Sequence, residues 1–334
     1  MNTVCLFIIL LGSVSTIENQ SGPVFQRAIY VFSVVEAAAL GTVIGEVKAT
    51  DRDSSLNGRI RYSLLDNGSG LFSVDSRTGL IITKAVLDYE TQVSVTLTVK
   101  ASDGGTGNTS ESTAKVFINI LDINDEGPIF SQANYTFAVQ ENLPIGSIIG
   151  LVKATDRDSG TNGMLRYAIL NSGPSHLFSV DSITGQITSI AALDREVQDS
   201  VTLTVSAADL GPVSRSASAV VNINIVDVND NAPIFSAANY MFVLSDRAPI
   251  GTRIGQVFAT DFDMGANGMI TYSLKDDGAS LQFAIDDHTG QITVVSALTS
   301  RDVNFTVCAT DNGLPAFSSD AQVLVQISAD IVVG

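Results

Sequence analysis

The sequence is poor in the residues most chemistries depend on. In 334 residues it has no tryptophan, two cysteines and two histidines. Basic side chains are scarce, with 18 Lys+Arg against 35 Asp+Glu and a formal charge of −17. That balance argues against nucleic acid, whose phosphates call for a basic surface. Neither His-x-x-x-His nor Cys-x-x-Cys occurs, so zinc has no ligand set. Gly-x-Ser-x-Gly is absent too, and nothing supplies the paired nucleophile and base of an enzyme.

Cys5 lies in the apolar run Val4-Cys5-Leu6-Phe7-Ile8-Ile9-Leu10-Leu11. The run is too short to span a bilayer, and Ser13-Val14-Ser15 follows as a cleavage site, so residues 1–16 read as a secretory signal. After cleavage Cys308 stands alone, no internal disulfide is possible, and stability must come from packing and bound ions. No later stretch approaches the ~20 apolar residues of a membrane helix.

What the chain does have is a repeat. Pro23-Val24-Phe25, Pro128-Ile129-Phe130 and Pro233-Ile234-Phe235 are spaced 105 residues apart. Asp51-Arg52-Asp53, Asp156-Arg157-Asp158 and Asp261-Phe262-Asp263 keep the same spacing, as do Asn57-Gly58, Asn162-Gly163 and Asn267-Gly268. Self-similarity at a fixed period takes precedence over local signals. It divides the mature chain into repeats at 17–126, 127–231 and 232–334.

Within a repeat the period is two. Val93, Val95, Leu97, Val99 and Ala101 alternate with polar residues; Val201, Leu203, Val205 and Ala207 do the same, as do Val303, Phe305, Val307 and Ala309. Such alternation predicts strands with one buried face. No convincing amphipathic helix is present. About seven strands in ~100 residues matches an immunoglobulin-like sandwich.

The acids cluster at the repeat ends. The last strand of repeat 1 runs into Leu121-Asp122-Ile123-Asn124-Asp125-Glu126, and that of repeat 2 into Val226-Asp227-Val228-Asn229-Asp230-Asn231. With the Asp-Arg-Asp motifs, Leu87-Asp88-Tyr89-Glu90 and Leu193-Asp194-Arg195-Glu196, residues 23–327 resemble the cadherin superfamily, and within it protocadherin, Fat and Dachsous repeats. The resemblance implies an all-β fold of three tandem seven-stranded Greek-key sandwiches in a linear rod, with Ca2+ bound where repeats join. It implies a first calcium set of Glu36, Asp88 and Glu90, then Asp122, Asn124, Asp125 and the Ile123 and Glu126 carbonyls. Asp156, Asp158, Asp209 and the Asn162 carbonyl complete it. The second set would be Glu141, Asp194 and Glu196, then Asp227, Asn229, Asp230 and the Val228 and Asn231 carbonyls. Asp261, Asp263, Asp311 and the Asn267 carbonyl complete that one. Glu126 departs from the usual Asn, at a position expected to use its backbone oxygen.

The chemistry is independent of the name, since calcium takes six to eight oxygens from carboxylates, carbonyls and water. An Asp-x-Asn-Asp motif alone could be a polar turn; two full constellations in matching order are not. An EF-hand loop is rejected, because its twelfth position needs Glu and here holds Tyr62, Tyr167 or Tyr272. Repeat 3 has Asp246 where the others have Glu36 and Glu141, and Thr299 and Arg301 in place of an Asp and a Glu. Its would-be linker is Ala329-Asp330-Ile331-Val332, so a third cluster is not expected. Repeat 1 has only a receiving half, Asp51, Asp53 and Asp103.

Asn19, Asn67, Asn108, Asn134 and Asn304 open Asn-x-Ser/Thr acceptors for glycans. Cys308 aligns with the outward Lys100 and Ser206, which predicts an accessible thiol. The lack of Trp removes the Trp-anchored strand exchange of some cadherins and leaves the sandwich faces for contact. By resemblance the partner is another cadherin-like ectodomain, homophilic or heterophilic, in trans. The expected function is calcium-dependent adhesion or recognition at the cell surface, as part of a membrane-tethered receptor. The alternative is a secreted three-repeat ligand, matrix component or decoy.

Overall fold

The computed structural model describes residues 21–52, 59–66, 70–103, 110–170, 174–275, 281–298 and 301–328. The signal segment, Cys5, Asn19, Asp53, Asn67, Asn108, Thr299 and 329–332 lie outside these. The chain separates into two compact units. The first comprises Met1–Pro128 with Asp156–Met164 and Asp209–Arg215. The second comprises Ile129–Thr155, Leu165–Ala208 and Ser216–Gly334.

Among the described residues each repeat is all-β, with nine strand segments. Repeat 1 runs β1 (Val24–Phe25), β2 (Ile29–Val35), β3 (Val43–Glu46), β4 (Ala49–Thr50) and β5 (Arg61–Leu64). It continues with β6 (Phe72–Val74), β7 (Leu80–Thr83), β8 (Ser94–Ser102) and β9 (Glu111–Leu121). Repeat 2 has β10 (Ile129–Phe130), β11 (Asn134–Gln140), β12 (Ile148–Leu151), β13 (Ala154–Thr155) and β14 (Arg166–Ile169). Then come β15 (Phe178–Val180), β16 (Gln186–Ser189), β17 (Ser200–Ala208) and β18 (Ser216–Val226). Repeat 3 repeats the order as β19 (Ile234–Phe235), β20 (Asn239–Ser245), β21 (Arg253–Gln256), β22 (Ala259–Thr260) and β23 (Thr271–Leu274). It ends with β24 (Phe283–Ile285), β25 (Gln291–Val294), β26 (Val303–Thr310) and β27 (Ser318–Ser328).

Nine segments reduce to the expected seven strands because the first and second are each interrupted. β1 pairs antiparallel with β4, while β2, three residues on, pairs parallel with β9. In each repeat a four-stranded sheet (β2-β9-β8-β5, β11-β18-β17-β14, β20-β27-β26-β23) faces a three-stranded one (β3-β7-β6, β12-β16-β15, β21-β25-β24). The inward residues of both sheets make one core: Val95, Leu97, Val99 and Val116 from the larger sheet of repeat 1, Phe72 and Ile81 from the smaller. Burying each such side chain contributes about 1.5–3 kcal/mol.

Turn chemistry fixes the ends. Asp75 Oδ1 accepts from the Arg77 and Thr78 amides, and Gly79 follows at φ +76°. A Cβ on Gly79 would lie 2.3 Å from the Val47 carbonyl oxygen, so only glycine fits. The tyrosines that replace the EF-hand glutamate hold strands together instead. The Tyr62, Tyr167 and Tyr272 hydroxyls each accept from the amide of Ala49, Ala154 or Ala259 at 2.9 Å.

Two local expectations are corrected. Val93 precedes β8 and is exposed, because the strand starts at Ser94. Cys308 is buried, at 8% exposure, although it lies on the outward side of β26. β26 is an interior strand whose position 308 pairs with Ser273 and Asp320, and Asp320 is ion-paired to Lys275. The short thiol lies beside this longer Lys275–Asp320 pair, and its Sγ lies 3.5 Å from Thr310 Oγ1. Asn304 on the same strand and Asn134 at the start of β11 are exposed. Among the described residues no helix is long and apolar enough to cross a membrane. The corrected position makes Cys308 slow to label in the native protein and fast in concentrated guanidinium. Equal labelling rates in the two conditions would overturn this burial.

Candidate metal centres

Each site begins where the last strand of a repeat leaves its sheet. β9 ends at Leu121, and the chain turns through Asp122-Ile123-Asn124-Asp125, with the Asp125 amide donating to the Ile123 carbonyl. Because β2 runs parallel to β9, its end arrives at the same place. Glu36, the residue after β2, is 4% exposed, yet its carboxylate is pinned by two backbone donors. The Ile123 amide reaches Oε1 at 2.9 Å and the Tyr89 amide reaches Oε2 at 2.6 Å. Asp88 is held by Thr91, whose hydroxyl and amide donate to it and keep its carboxyl below the usual range.

Glu36, Asp88 and Glu90 bring one carboxylate oxygen each within 4.8 Å of the others, and Glu90, Asp125 and Asp158 form a second such group. Like charges at that separation repel by about 3–4 kcal/mol at an effective dielectric near 20. The strain shows in the acids themselves. Burial, then the charges of Glu36 and Asp125, pushes Glu90 up to about 7. Burial and the charges of Asp156, Asp122 and Asp125 push Asp158 up to about 6.

The loops of repeat 2 that belong to this unit close the cage. Asn162 Nδ2 and the Ser159 amide donate to the two oxygens of Asp122, at 2.7 and 3.3 Å. The Glu126 amide donates to Asp158, and the Asp158 amide to Asp156. Asn124 Nδ2 donates to both oxygens of Asp209 at 3.2 Å and to the Val213 carbonyl at 2.7 Å. Asp209 is buried, which alone would raise it, but the Arg215 and Gly211 amides hold its carboxyl low. Gly211 is required by contact, since a Cβ there would sit 2.4 Å from Asn124 Nδ2. The Glu126 side chain is turned outward to Arg157 at 3.1 Å.

The second site repeats this in the other unit. Glu141, 2% exposed, accepts from the Val228 amide at 2.8 Å and the Arg195 amide at 2.7 Å. Asn267 Nδ2 donates to Asp227 at 2.8 Å. Asn229 Nδ2 donates to Asp311 and to the Pro315 carbonyl, at 3.2 and 2.6 Å. Asn231 donates to Asp263, whose own amide donates to Asp261. Glu141, Asp194 and Glu196 make one close group; Glu196, Asp230 and Asp263 make another. Burial, then Asp263 and Asp311, raises Asp261, and burial, then Glu141, raises Glu196.

Both cages leave oxygens over. Glu90 Oε1, Asn124 Oδ1, Asp156 Oδ2 and Asp158 Oδ2 in the first, and Asn229 Oδ1 and Asp261 Oδ2 in the second, are buried with no hydrogen-bond partner. A buried polar atom left unpaired costs about 1–3 kcal/mol, more if charged. Six such atoms among crowded carboxylates fit a hard cation that binds through oxygen.

All the side chains assigned to the two sets therefore gather in two places. Five of the acids in each set form the close groups, while Asp122, Asp156 and Asp209, and likewise Asp227, Asp261 and Asp311, are tied in by hydrogen bonds. Sequence reasoning missed the side chains of Asn162 and Asn267, from which only the carbonyls were expected, and which clamp the linker aspartates. Asn-Gly spacing was their only signal. Asp246 Oδ1 is a further buried oxygen without a partner, and Arg301 beside the repeat 3 end is exposed. Among the described residues the four close groups all belong to the two linkers.

The model of the cadherin domain family matches residues 30–121, 135–226 and 240–328. The chain is 36% identical over 311 residues to the cadherin EGF LAG seven-pass G-type receptor fmi-1 of Caenorhabditis elegans, covering 92% of this chain and 12% of that protein. It is 36% identical over 313 residues to human protocadherin Fat 1, covering 93% of this chain and 7% of the relative. The chain thus spans a small part of the length of these relatives. Among solved structures, mouse cadherin-23 EC22-24 superposes with a TM-score of 0.78 at 36% identity, covering 92% of this chain and 98% of that one.

The raised acids set a pH dependence. Stability from a carboxyl raised in the fold is full below its unfolded value and is lost as pH rises through its folded value. For Glu90 the window runs from 4.5 to about 7, and for Asp158 from 3.8 to about 6. Metal-stripped protein is therefore expected to melt at lower temperature as pH rises from about 4.5 to 7. Calorimetry across that range checks it, and a flat or rising melting temperature would contradict the assigned shifts.

Proposed function

The chain belongs to the cadherin family, and we propose that it is an extracellular adhesion or recognition segment whose two inter-repeat linkers bind calcium. The observation that carries the reading is the set of buried, unpartnered oxygens among mutually repelling carboxylates. The first linker would use Glu36, Asp88, Glu90, Asp122, Asn124, Asp125, Asp156, Asp158 and Asp209, with the Ile123, Glu126 and Asn162 carbonyls. The second would use Glu141, Asp194, Glu196, Asp227, Asn229, Asp230, Asp261, Asp263 and Asp311, with the Val228, Asn231 and Asn267 carbonyls. Bound calcium supplies the positive charge that lets these acids stay ionised together, in a class where extracellular modules bind at about 10⁻⁴–10⁻³ M.

The protein's own part is to preset the oxygens. Backbone amides orient Glu36 and Glu141, and Asn162 and Asn267 orient Asp122 and Asp227. Asn124 and Asn229 spend their amide nitrogens on the receiving loop and keep their oxygens for the ion. With the ion bound, the repeats are held stiffly; without it, charge repulsion loosens the linkers. The repeats, at 17–126, 127–231 and 232–334 behind a signal at 1–16, would then offer their sheet faces to a cadherin-like ectodomain in trans. Glycans would occupy exposed acceptors such as Asn134 and Asn304. A relative named as a seven-pass receptor supports a membrane-tethered parent over a secreted ligand or decoy.

Three measurements test this. Millimolar calcium is expected to raise the melting temperature. Asp230→Ala is expected to weaken the second site at least roughly ten-fold, as loss of a charged ligand should. It should loosen repeat 3 while leaving the first site intact, so unchanged titration and unchanged maximum dimension in scattering would count against the assignment. Residues 128–334 should bind calcium and residues 233–334 only weakly, since the end of repeat 3 puts Arg301 where a ligand is needed. Equal calorimetric affinity of the two pieces would place the sites on other surfaces.

A further inference from the structure

The two linkers differ in one residue that changes their charge balance. Between the Asp and Glu that follow the smaller sheet, the first linker has Tyr89 and the second has Arg195. Tyr89 packs against the apolar core of repeat 1 and brings no charge to the acids. Arg195 points into them, with its side chain 10% exposed. Its Nε donates to Asp227 Oδ1 at 2.5 Å, and its Nη2 donates to Glu196 Oε1 and to the Phe262 carbonyl, the last at 2.6 Å. One guanidinium thus ties the base of repeat 2, the linker, and the receiving loop of repeat 3.

Among the described residues the first linker has no arginine buried among its acids. Arg215, exposed, donates from Nε to the Asn124 carbonyl at 3.1 Å, and Arg157 pairs on the rim with Glu126, where Arg157 is 60% exposed. Exposed pairs of that kind contribute little, because solvent screens them. The acids reflect the difference: Glu90 Oε1 is buried and unpartnered, whereas Glu196 Oε1 is paired. A planar fork with three acceptors inside a largely buried site is the geometry in which an ion pair repays its desolvation.

We propose that Arg195 is a resident counter-cation that keeps the second linker closed when calcium is withdrawn, so that the first linker opens before it. The proposal rests on the calcium reading above for its context, but Arg195 acts on this chain's own acids. It makes the chain unevenly sensitive to calcium, with the movable joint between repeats 1 and 2.

Hydrogen exchange on the full chain tests it, comparing the Ile123 and Glu126 amides with the Val228 and Asn231 amides. In chelator the second pair is expected to exchange at least about ten-fold more slowly than the first, an opening difference of the size a multidentate buried pair supplies. Arg195→Tyr, which installs the residue of the first linker, should remove that difference while β17 and β18 stay protected. Arg195→Met keeps the aliphatic stem and should do the same if tyrosine does not fit. Equal exchange of the two linkers in chelator overturns the proposal, as does protection that survives both substitutions. The calcium arm is separate: if added calcium slows neither linker of the parent protein, it is the calcium reading that fails.

Discussion

Everything about the linkers follows from like charges being held together by a fold that has no counter-charge of its own for most of them. Strand packing decides where the carboxylates stand, and backbone amides decide which way they face. Electrostatics alone would scatter them. The sandwiches can impose this because their cores, with Leu97, Ile187 or Phe305 buried from water, reach up to the acids: Leu87 and Leu193 are buried directly beside Asp88 and Asp194. The cost of crowding is confined to the few residues between the end of one sheet and the top of the next.

The local conformations of the linkers are over-determined. Asp and Asn satisfy turn amides as readily as they bind ions, and most of the acids here do both. Glu36 fixes the positions of two segments through their amides and still belongs to a close acidic group. Asn124 and Asn229 divide their function atom by atom, nitrogen to the protein and oxygen left over. The glycines at 211 and 313 admit those amides by having no side chain: a Cβ on Gly313 would approach Asn229 Cγ to 2.2 Å.

Much of this was legible beforehand. Periodicity of two located β8, β17 and β26, and fixed spacing located the acids, because both are properties of the chain's own order. Cys308 shows where such reasoning ends. Alternation assigns a residue to a face, but exposure depends on the lengths of the side chains on neighbouring strands, here Asp320 and its partner Lys275. The Asn162 and Asn267 side chains were missed for a related reason, since an Asn beside Gly reads as a turn whether or not its amide reaches another segment. Arg195 was visible as a letter between two acids; its direction was not. The nine segments in place of seven come from strands that break to change partners, which alternation does not record.

The parallel pairing of β2 with β9 has a mechanical consequence. Seven residues of each strand lie in register, Ile29 opposite Lys115 through Val35 opposite Leu121. A tensile load entering at the start of β2 and leaving at the end of β9 pulls the two strands past each other along their length. The hydrogen bonds between them then bear the load side by side, and none can fail until the neighbouring ones do. An antiparallel pair of first and last strands would peel open one bond at a time. The same holds for β11 with β18 and β20 with β27, so each repeat is strung to resist stretching along the direction in which the chain passes through it.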